Sequence, residues 1–510
     1  MNYKNTIVIS GIVILLALSF LHKAVKAQQP PVLGPLLNIS NNPGFTHSPF
    51  QRVDQTGNVH VVWEDETPGQ RDIFYRRVNA DETLGLTTNI SNNLGESFLG
   101  PRSAIGVDPL GKAHIVWRDK TPHQNGNIFY GRFNSDGTLA LTINLSESID
   151  FTTGQVLTVD QFGNAHVVWH IRLANSEFET LYRKVNADGT VGPLLNLTNN
   201  PGPLDFPGSL SVVTDSNGNA YVIWADNSIG NFEIFYQKIN NDGTLGSPLT
   251  NVSNNSGNSF GTFVRIDTLG NLHIAWSDNT LSNFETFYLR VNADGTLGNQ
   301  TNVSNTSGDS DSPGMVEDDL GGAHIVWGDN SLGNIEILYR KIQSDGSLGF
   351  PLNLSQSGGE SMFINDIELP AIARDSQGNI HVTWTESQQG DLDIMYRKVE
   401  GGFIPRPLRN LSNNPTVSEF PFLMVDSLGN THVVWRNERT MNPEGNFDIL
   451  YRVVKANGGL NPTFNLSEGL FSSNSYSITL RGISNINAVW RSLISNINPQ
   501  PVDIFYRRSL

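Results

Sequence analysis

The chain has no cysteine, so disulfide staples, thiol nucleophiles and lipid-modified cysteines are all excluded. Charge is sparse as well: 16% of the 510 residues are charged, and Lys+Arg 33 stand against Asp+Glu 49, a formal net charge of -16. That balance favours solubility and argues against a nucleic-acid partner, whose backbone it would repel. Long apolar runs are missing except at the N-terminus. There, MNYKNTIVISGIVILLALSFLHKAVKAQQ places Lys4 ahead of an apolar stretch and ends on Val25-Lys26-Ala27, the pattern of a secretory signal spanning residues 1–27. A retained membrane anchor is the alternative, although the run is short for a span of about 20 residues. Signal removal would leave a secreted, periplasmic or cell-surface protein with no integral membrane domain, expected to be a monomer.

What the sequence does have is repetition. All nine tryptophans form one series, Trp63, Trp117, Trp169, Trp224, Trp276, Trp327, Trp384, Trp435 and Trp490, each closing a tetrad such as HVVW. Each is followed by a tyrosine, from Tyr75 to Tyr506, at a period of about 50 residues, in the range of a propeller blade and too long for helical solenoids. Within a copy, β-branched and aromatic runs alternate with Gly, Asn and Asp clusters, which reads as four strands, a to d. Asp-x-x-Gly, as in Asp54 to Gly57, marks the a–b hairpin, and Asn-x-Asp-Gly, as in Asn292 to Gly295, marks the c–d hairpin. The ninth copy departs from the first pattern, with Arg481 and Ser484. Four antiparallel strands per repeat predict an all-β fold, a single β-propeller of nine four-stranded blades over residues 28–510.

The turn phrase YRRVNADETLG resembles a degenerate Asp-box of sialidase-type (BNR) propellers, and TDSNGNAYVIW is similar to the blade repeats of secreted bacterial propellers. The likeness covers residues 31–510 and speaks to fold. The Asp-box aromatic is missing, with Leu84 or Leu297 in its region.

The ninth copy ends in strand c, at DIFYRRSL, whereas an extra LGPLLNIS precedes the first strand a. The segment 31–40 is therefore expected to pair beside the ninth strand c and close the ring, removing two free sheet edges. Two smaller propellers would need two closures, and only one spare strand exists.

Few residues announce chemistry. The HVVW histidine recurs as His60, His114, His166, His273, His324, His381 and His432. Zinc ligands converge at about 2 Å from one ion, whereas equivalent residues of a ring sit one per blade, so packing or hydrogen bonding between blades is expected. The Asn-x-Ser/Thr sequons, from Asn38 to Asn465, recur because strand d recurs and are read as structural.

Variable loops lie on the face carrying the b–c and d–a connections, at residues 121–126, 355–368 and 439–446, and that face is the candidate for binding. Two residues after the tryptophan most copies carry an acid, among them Asp65 and Asp119. One residue after it, Arg118, His170, Arg436 and Arg491 gather on one arc, interrupted by Glu64. These six residues, Arg118, His170, Arg436, Arg491, Asp65 and Asp119, are the candidate site for an anionic or polyhydroxylated ligand, because arginine binds carboxylates with forked bonds. Pairing of each arginine with a neighbouring acid is the plainer alternative. No cofactor is expected; one acid per blade falls short of the six to eight oxygens calcium takes.

The function expected is that of a secreted, non-catalytic scaffold binding a protein or glycan ligand. A divergent sialidase-like glycoside hydrolase is the alternative, which the resemblance implies would use an arginine cluster, a tyrosine nucleophile and carboxylates in a central pocket. Arg52, Arg265, Arg374 and Glu317 near the ends of strands a are its candidates, and their spacing matches no family motif.

Overall fold

A computed structural model describes residues 33–509 except 101–103, 122–124, 149, 175–176, 199–209, 357, 363–371, 389–390, 440–445, 469, 471, 482–484 and 494–501. The expected export signal, most of the loop at 439–446 and parts of those at 121–126 and 355–368 lie outside the described residues. Nine antiparallel sheets follow one another as nine propeller blades, and no helix occurs among the described residues. Blade 1 sets the pattern, with strand a at Thr46–Val53, b at Val59–Asp65, c at Asp72–Val78 and d at Thr88–Asn89. In blades 2 and 7 strand a is split, into Ser97–Leu99 with Ile105–Val107 and Glu360–Met362 with Ile372–Arg374.

The core is the set of interfaces between successive blades. One cluster joins Val62, Ile73 and Tyr75 of blade 1 to Ile105, Ile115 and Trp117 of blade 2, and the others repeat that pattern around the ring. All nine tryptophans are buried in these layers, where a large flat ring covers much apolar area. The a–b turn follows the sequence logic: Asp54 Oδ1 accepts the amides of Thr56 and Asn58 at 2.9 Å, and Gly57 takes φ +86°.

Two hydrogen-bonding devices couple the strands. In all nine blades the Ser or Thr of the strand d sequon accepts a backbone amide of strand c, from Ile73 N to Ser91 Oγ (2.9 Å) through Ile449 N to Ser467 Oγ (2.9 Å). The sequon asparagine caps its own turn, as Asn89 Oδ1 does for the amide of Asn92 at 2.8 Å. In six blades the arginine after the strand c tyrosine then bonds twice. Arg183 donates to Gly192 O in its own c–d turn (3.1 Å) and to Leu145 O, the residue that follows strand d of the preceding blade (2.7 Å), and Arg76, Arg340, Arg397, Arg452 and Arg507 do likewise.

The ninth blade obeys the same rules with a strand from the other end of the chain. Leu37–Asn38 pairs antiparallel with Val502–Arg508 in the register Leu37 with Tyr506 and Asn38 with Phe505. Ile504 N donates to Ser40 Oγ at 2.8 Å, and Asn38 and Ser40 both bond Asp503. Arg507 reaches Gly34 O as its turn acceptor, and Arg76 of blade 1 takes Ile39 O at 2.7 Å as if blade 9 simply preceded it. The ring is closed by the N-terminal strand.

Deleting residues 31–40 should expose the edge of Val502–Arg508 and remove hydrogen bonds worth about 1 kcal/mol each. Calorimetry should show a lowered melting temperature, with aggregation on heating; a deletion variant that melts like the parent would refute the closure. Ser40→Ala, which strands the Ile504 amide, should cost about 1–3 kcal/mol in chemical denaturation.

Candidate functional site

Strands a begin at the face that carries the d–a and b–c loops, here the upper face, and end at the lower face in the Asp-x-x-Gly turns. The residue after each tryptophan sits at the upper end of strand b, opposite a residue of strand a: Glu64 opposite His47, Arg118 opposite Phe98, His170 opposite Thr153, Arg436 opposite Glu419 and Arg491 opposite Asn474. Just below these pairs, strand a carries a bulge in blades 1, 3, 5, 6, 8 and 9. Its positive-φ residue is Ser48, Gly154, Gly261, Ser312, Phe420 or Ser475. A bulge bends the strand and re-aims the side chains around it, here at the upper mouth of the ring.

The upper side chains reach across to the next blade. Glu64 Oε1 accepts the amide of Leu99 in blade 2 at 2.8 Å, Ser277 Oγ donates to Asp311 of blade 6 at 2.7 Å, and Arg436 Nη1 donates to Asn474 of blade 9 at 2.8 Å. In blades 1 to 3 this reach produces an alternation of cations and rings. The Phe98 ring has Arg71 at 5.2 Å, Lys120 at 5.2 Å and Arg118 at 5.9 Å, and the Phe151 ring has Arg118 at 4.5 Å and Arg172 at 4.9 Å. Guanidinium groups stacked on rings use their faces for the π contact and keep their in-plane donors for other partners. Arg118 spends one such donor on Asn125 O at 3.1 Å, and Arg172 makes no hydrogen bond or ion pair among the described residues.

Blade 1 supplies the acids of this arc. Arg71 bridges Glu64 at 3.2 Å and Glu66 at 3.0 Å, and His47 lies 3.0 Å from Glu66. Burial pushes the Glu64 carboxyl up to about 7 against the opposing Leu99 amide and Arg71. Glu66 is also partly desolvated, but its bonds from Arg71 and His47 win and hold it below the usual range. Arg491 of blade 9 faces this group half-buried, without a hydrogen-bond partner among the described residues; desolvation and Arg71 both disfavour its charge.

The six candidates therefore part company. Arg118 and Arg491 belong to the cationic arc. Arg436 lies over Phe420 and Phe447, at 4.6 and 4.2 Å, and is paired with Glu419, its Nε at 3.0 Å from the carboxylate. His170 is buried against Thr180 Oγ1 at 3.2 Å, and desolvation drops its pKa to about 3. Asp65 and Asp119 are 0% exposed. They accept the indole N–H of their own tryptophans at 2.9 and 3.4 Å and the loop amides of Thr67 and Thr121 at 2.9 and 2.7 Å. They brace the b–c loop from below.

Sequence reasoning missed Arg71, Lys120, Arg172, Phe98 and Phe151. A signal was available in the recurring phenylalanine at the start of strand a, in GESFLG, SIDFTTG and GNSFGT. In blades 4 and 5 an uncharged cluster stands instead, with Phe260 at the start of strand a between Phe232 and Phe284 of the b–c loops, at centroid distances of 5.4 and 6.3 Å.

Inside the blades, the recurring histidines form relays. In blades 3, 5, 7 and 8 the Nε2 of His166, His273, His381 and His432 lies 3.1–3.2 Å from Asp160, Asp267, Asp375 and Asp426. Nδ1 lies 2.7–2.8 Å from the tyrosine hydroxyl. The carboxylate fixes the proton on Nε2, so the tyrosine donates to Nδ1. These Asp-His-Tyr chains are buried, and their role is to join strands a, b and c. No cluster of metal-ligating side chains exists among the described residues. The hydrolase candidates Arg52, Arg265, Glu317 and Arg374 sit on four different strands a, and Arg374 is held by Asp319 through bonds of 3.0 and 2.8 Å.

No family model matches the chain, and no curated protein matches it. Among solved structures, a eukaryotic initiation factor covers 86% of this chain with 90% of its own length, at 9% identity and TM-score 0.48. A PL25 ulvan lyase covers 81% with 93% of its own (11% identity, TM-score 0.42). A lectin from Burkholderia pseudomallei covers 86% with 99% of its own (11% identity, TM-score 0.36). None is similar enough to carry a function to this chain.

The relays make stability pH-dependent. Burial holds His114, His166 and His381 below the ordinary histidine range and His324 at about 3. Below about pH 6.5 the unfolded chain binds protons that these native side chains refuse, so stability falls with pH by about 1.4 kcal/mol per unit for each until its folded pKa is reached. Burial alone would raise Asp160 and Asp267, but their bonds from histidine and asparagine outweigh it and hold both at about 2. Their contribution is complete above about pH 4 and is lost as pH falls toward 2. Urea midpoints should therefore decline from pH 7 to 5 and more steeply below 4; a flat profile down to pH 4.5 would contradict the neutral relays.

Proposed function

We propose that this propeller is an exported, non-catalytic binding scaffold whose upper face takes a glycan or protein ligand, with an acidic glycan fitting it best. The observation that carries the reading is the arc from Arg491 through Arg71, Phe98, Arg118 and Phe151 to Arg172. Cations seated on half-buried rings keep donors for carboxylate or sulfate groups, at a cost in ordering already met by the stacking. Continuing around the ring, the half-buried rings of Phe232, Phe260 and Phe284 offer apolar faces of the kind that pack on sugar C–H surfaces. The apolar N-terminal run supports export.

Binding should appear on a glycan array as a preference for uronate- or sulfate-bearing chains that weakens with salt. The double variant Arg118→Ala with Arg491→Ala should lose it by roughly tenfold or more, the loss expected for a pair of charge-assisted bonds. Array binding left intact in that variant, or confined to neutral glycans, removes the reading.

One observation favours hydrolysis as a second reading: Glu64 at about 7 beside an ionised Glu66 is an acid–carboxylate pair. Against it, both Glu64 oxygens are engaged, one by the Leu99 amide and one by Arg71. A panel of fluorogenic glycosides decides: turnover abolished by Glu64→Gln supports an enzyme, and no turnover leaves the binding scaffold.

A further inference from the structure

A cavity of about 360 Å³ lies on the lower face, between blades 7 and 8, away from the arc described above. Its origin can be read from the c–d turns. The residue two after the tyrosine bridges to the next blade's turn: Arg132 donates to Ala187 O at 2.8 Å, Arg290 to Ser344 O at 2.6 Å and Arg508 to Ala80 O at 3.1 Å. In blade 7 this bridge is slack, with Lys398 Nζ 3.4 Å from Ala456 O.

Blade 7 also replaces Asn-x-Asp-Gly by Glu400-Gly401-Gly402-Phe403, with Gly401 and Gly402 at φ +58° and +76°. This turn leans back onto blade 6. Gly402 O accepts the Tyr339 hydroxyl at 2.8 Å, and a Cβ on Gly402 would stand 2.7 Å from His324 Cε1, so only glycine fits there. Leaning toward blade 6 leaves the wedge toward blade 8 open.

The wedge is cationic. Lys398, Arg406 and Arg409 line it against one acid, Glu400, which is paired with Arg406 at 2.5 Å. Lys398 is 4.0 Å from Asp375 below it, and the exposed Arg409 makes no hydrogen bond or ion pair among the described residues. Pro407 and Val454 add an apolar wall. Two nearby cations in a chain of net charge -16 make this a local attractor for negative charge.

We propose that the wedge between blades 7 and 8 is a second binding site, for a small organic anion bearing several carboxylates or a phosphate, with Arg409 giving a forked contact and Lys398 a point charge. The site is independent of the glycan reading, because it lies on the opposite face and shares no residue with the arc. Titration calorimetry of the full chain with citrate, and separately with inorganic phosphate, tests it at low ionic strength. At least one probe should bind one per chain. Arg409→Ala should weaken it tenfold or more without moving the ligand-free melting temperature, and Arg118→Ala should leave it unchanged. Neither probe binding, binding as tight as the parent's in both Arg409→Ala and Lys398→Met, or loss of binding in Arg118→Ala would each overturn the proposal.

Discussion

In eight of the nine blades the outer strand that carries the sequon is only two residues of regular pairing long, and in blade 2 it is six, so the ring depends on how that short strand is held. In six blades the hydrogen bond from the arginine after the strand c tyrosine to the carbonyl that follows strand d of the preceding blade does this, as in Arg183 to Leu145 O and Arg452 to Leu411 O. It satisfies an acceptor at the blade edge and ties neighbours together at once. With no cysteine in the chain, such bonds and the tryptophan layers are what hold blade to blade. Six blades carry this arginine, and it serves the seam as well, where Arg76 donates to Ile39 O and Arg507 to Gly34 O.

The lower face is nearly uniform because its turns carry these struts, and the turn that keeps none of the Asn, Asp and Gly positions of the pattern, Glu400-Gly401-Gly402-Phe403, is where a cavity opens. The upper face is free of that duty. Its inner strands bulge, and its side chains reach from blade to blade, so charge and aromatic character vary around the mouth from the cationic arc of blades 1 to 3 to the uncharged rings of blades 4 and 5. A rigid scaffold with one variable rim is the arrangement in which binding is concentrated.

Much of the architecture was legible because it repeats. Tryptophan and tyrosine spacing, the two turn motifs and the spare LGPLLNIS strand led to nine blades and one seam, and the ring has both. The structural use of the sequon asparagines was also visible, and that of the histidines in part: they were expected to bond between blades, and their relays run within each blade, from the end of strand a through b to c. The rim was only partly legible. Asp65 and Asp119, expected among the ligand-binding residues, turn inward to the indole N–H and are 0% exposed. Arg71 and Phe98 belong to different blades and meet only because the ring sets blade 2 beside the b–c loop of blade 1. The cavity depended on a glycine leaning against His324, a contact that no spacing rule encodes.

The seam is the claim on which the rest turns, and amide hydrogen exchange tests it most directly. The amide of Ile39 bonds Ile504 O at 2.7 Å, as that of Val303 bonds Thr286 O at 2.8 Å deep in the array. A closed ring predicts that the segment 34–40 and the amide of Ile504 exchange as slowly as the strand c and d amides of blade 5. Fast exchange at 34–40 and along 502–508, with blade 5 still protected, would show an open ring and contradict the account.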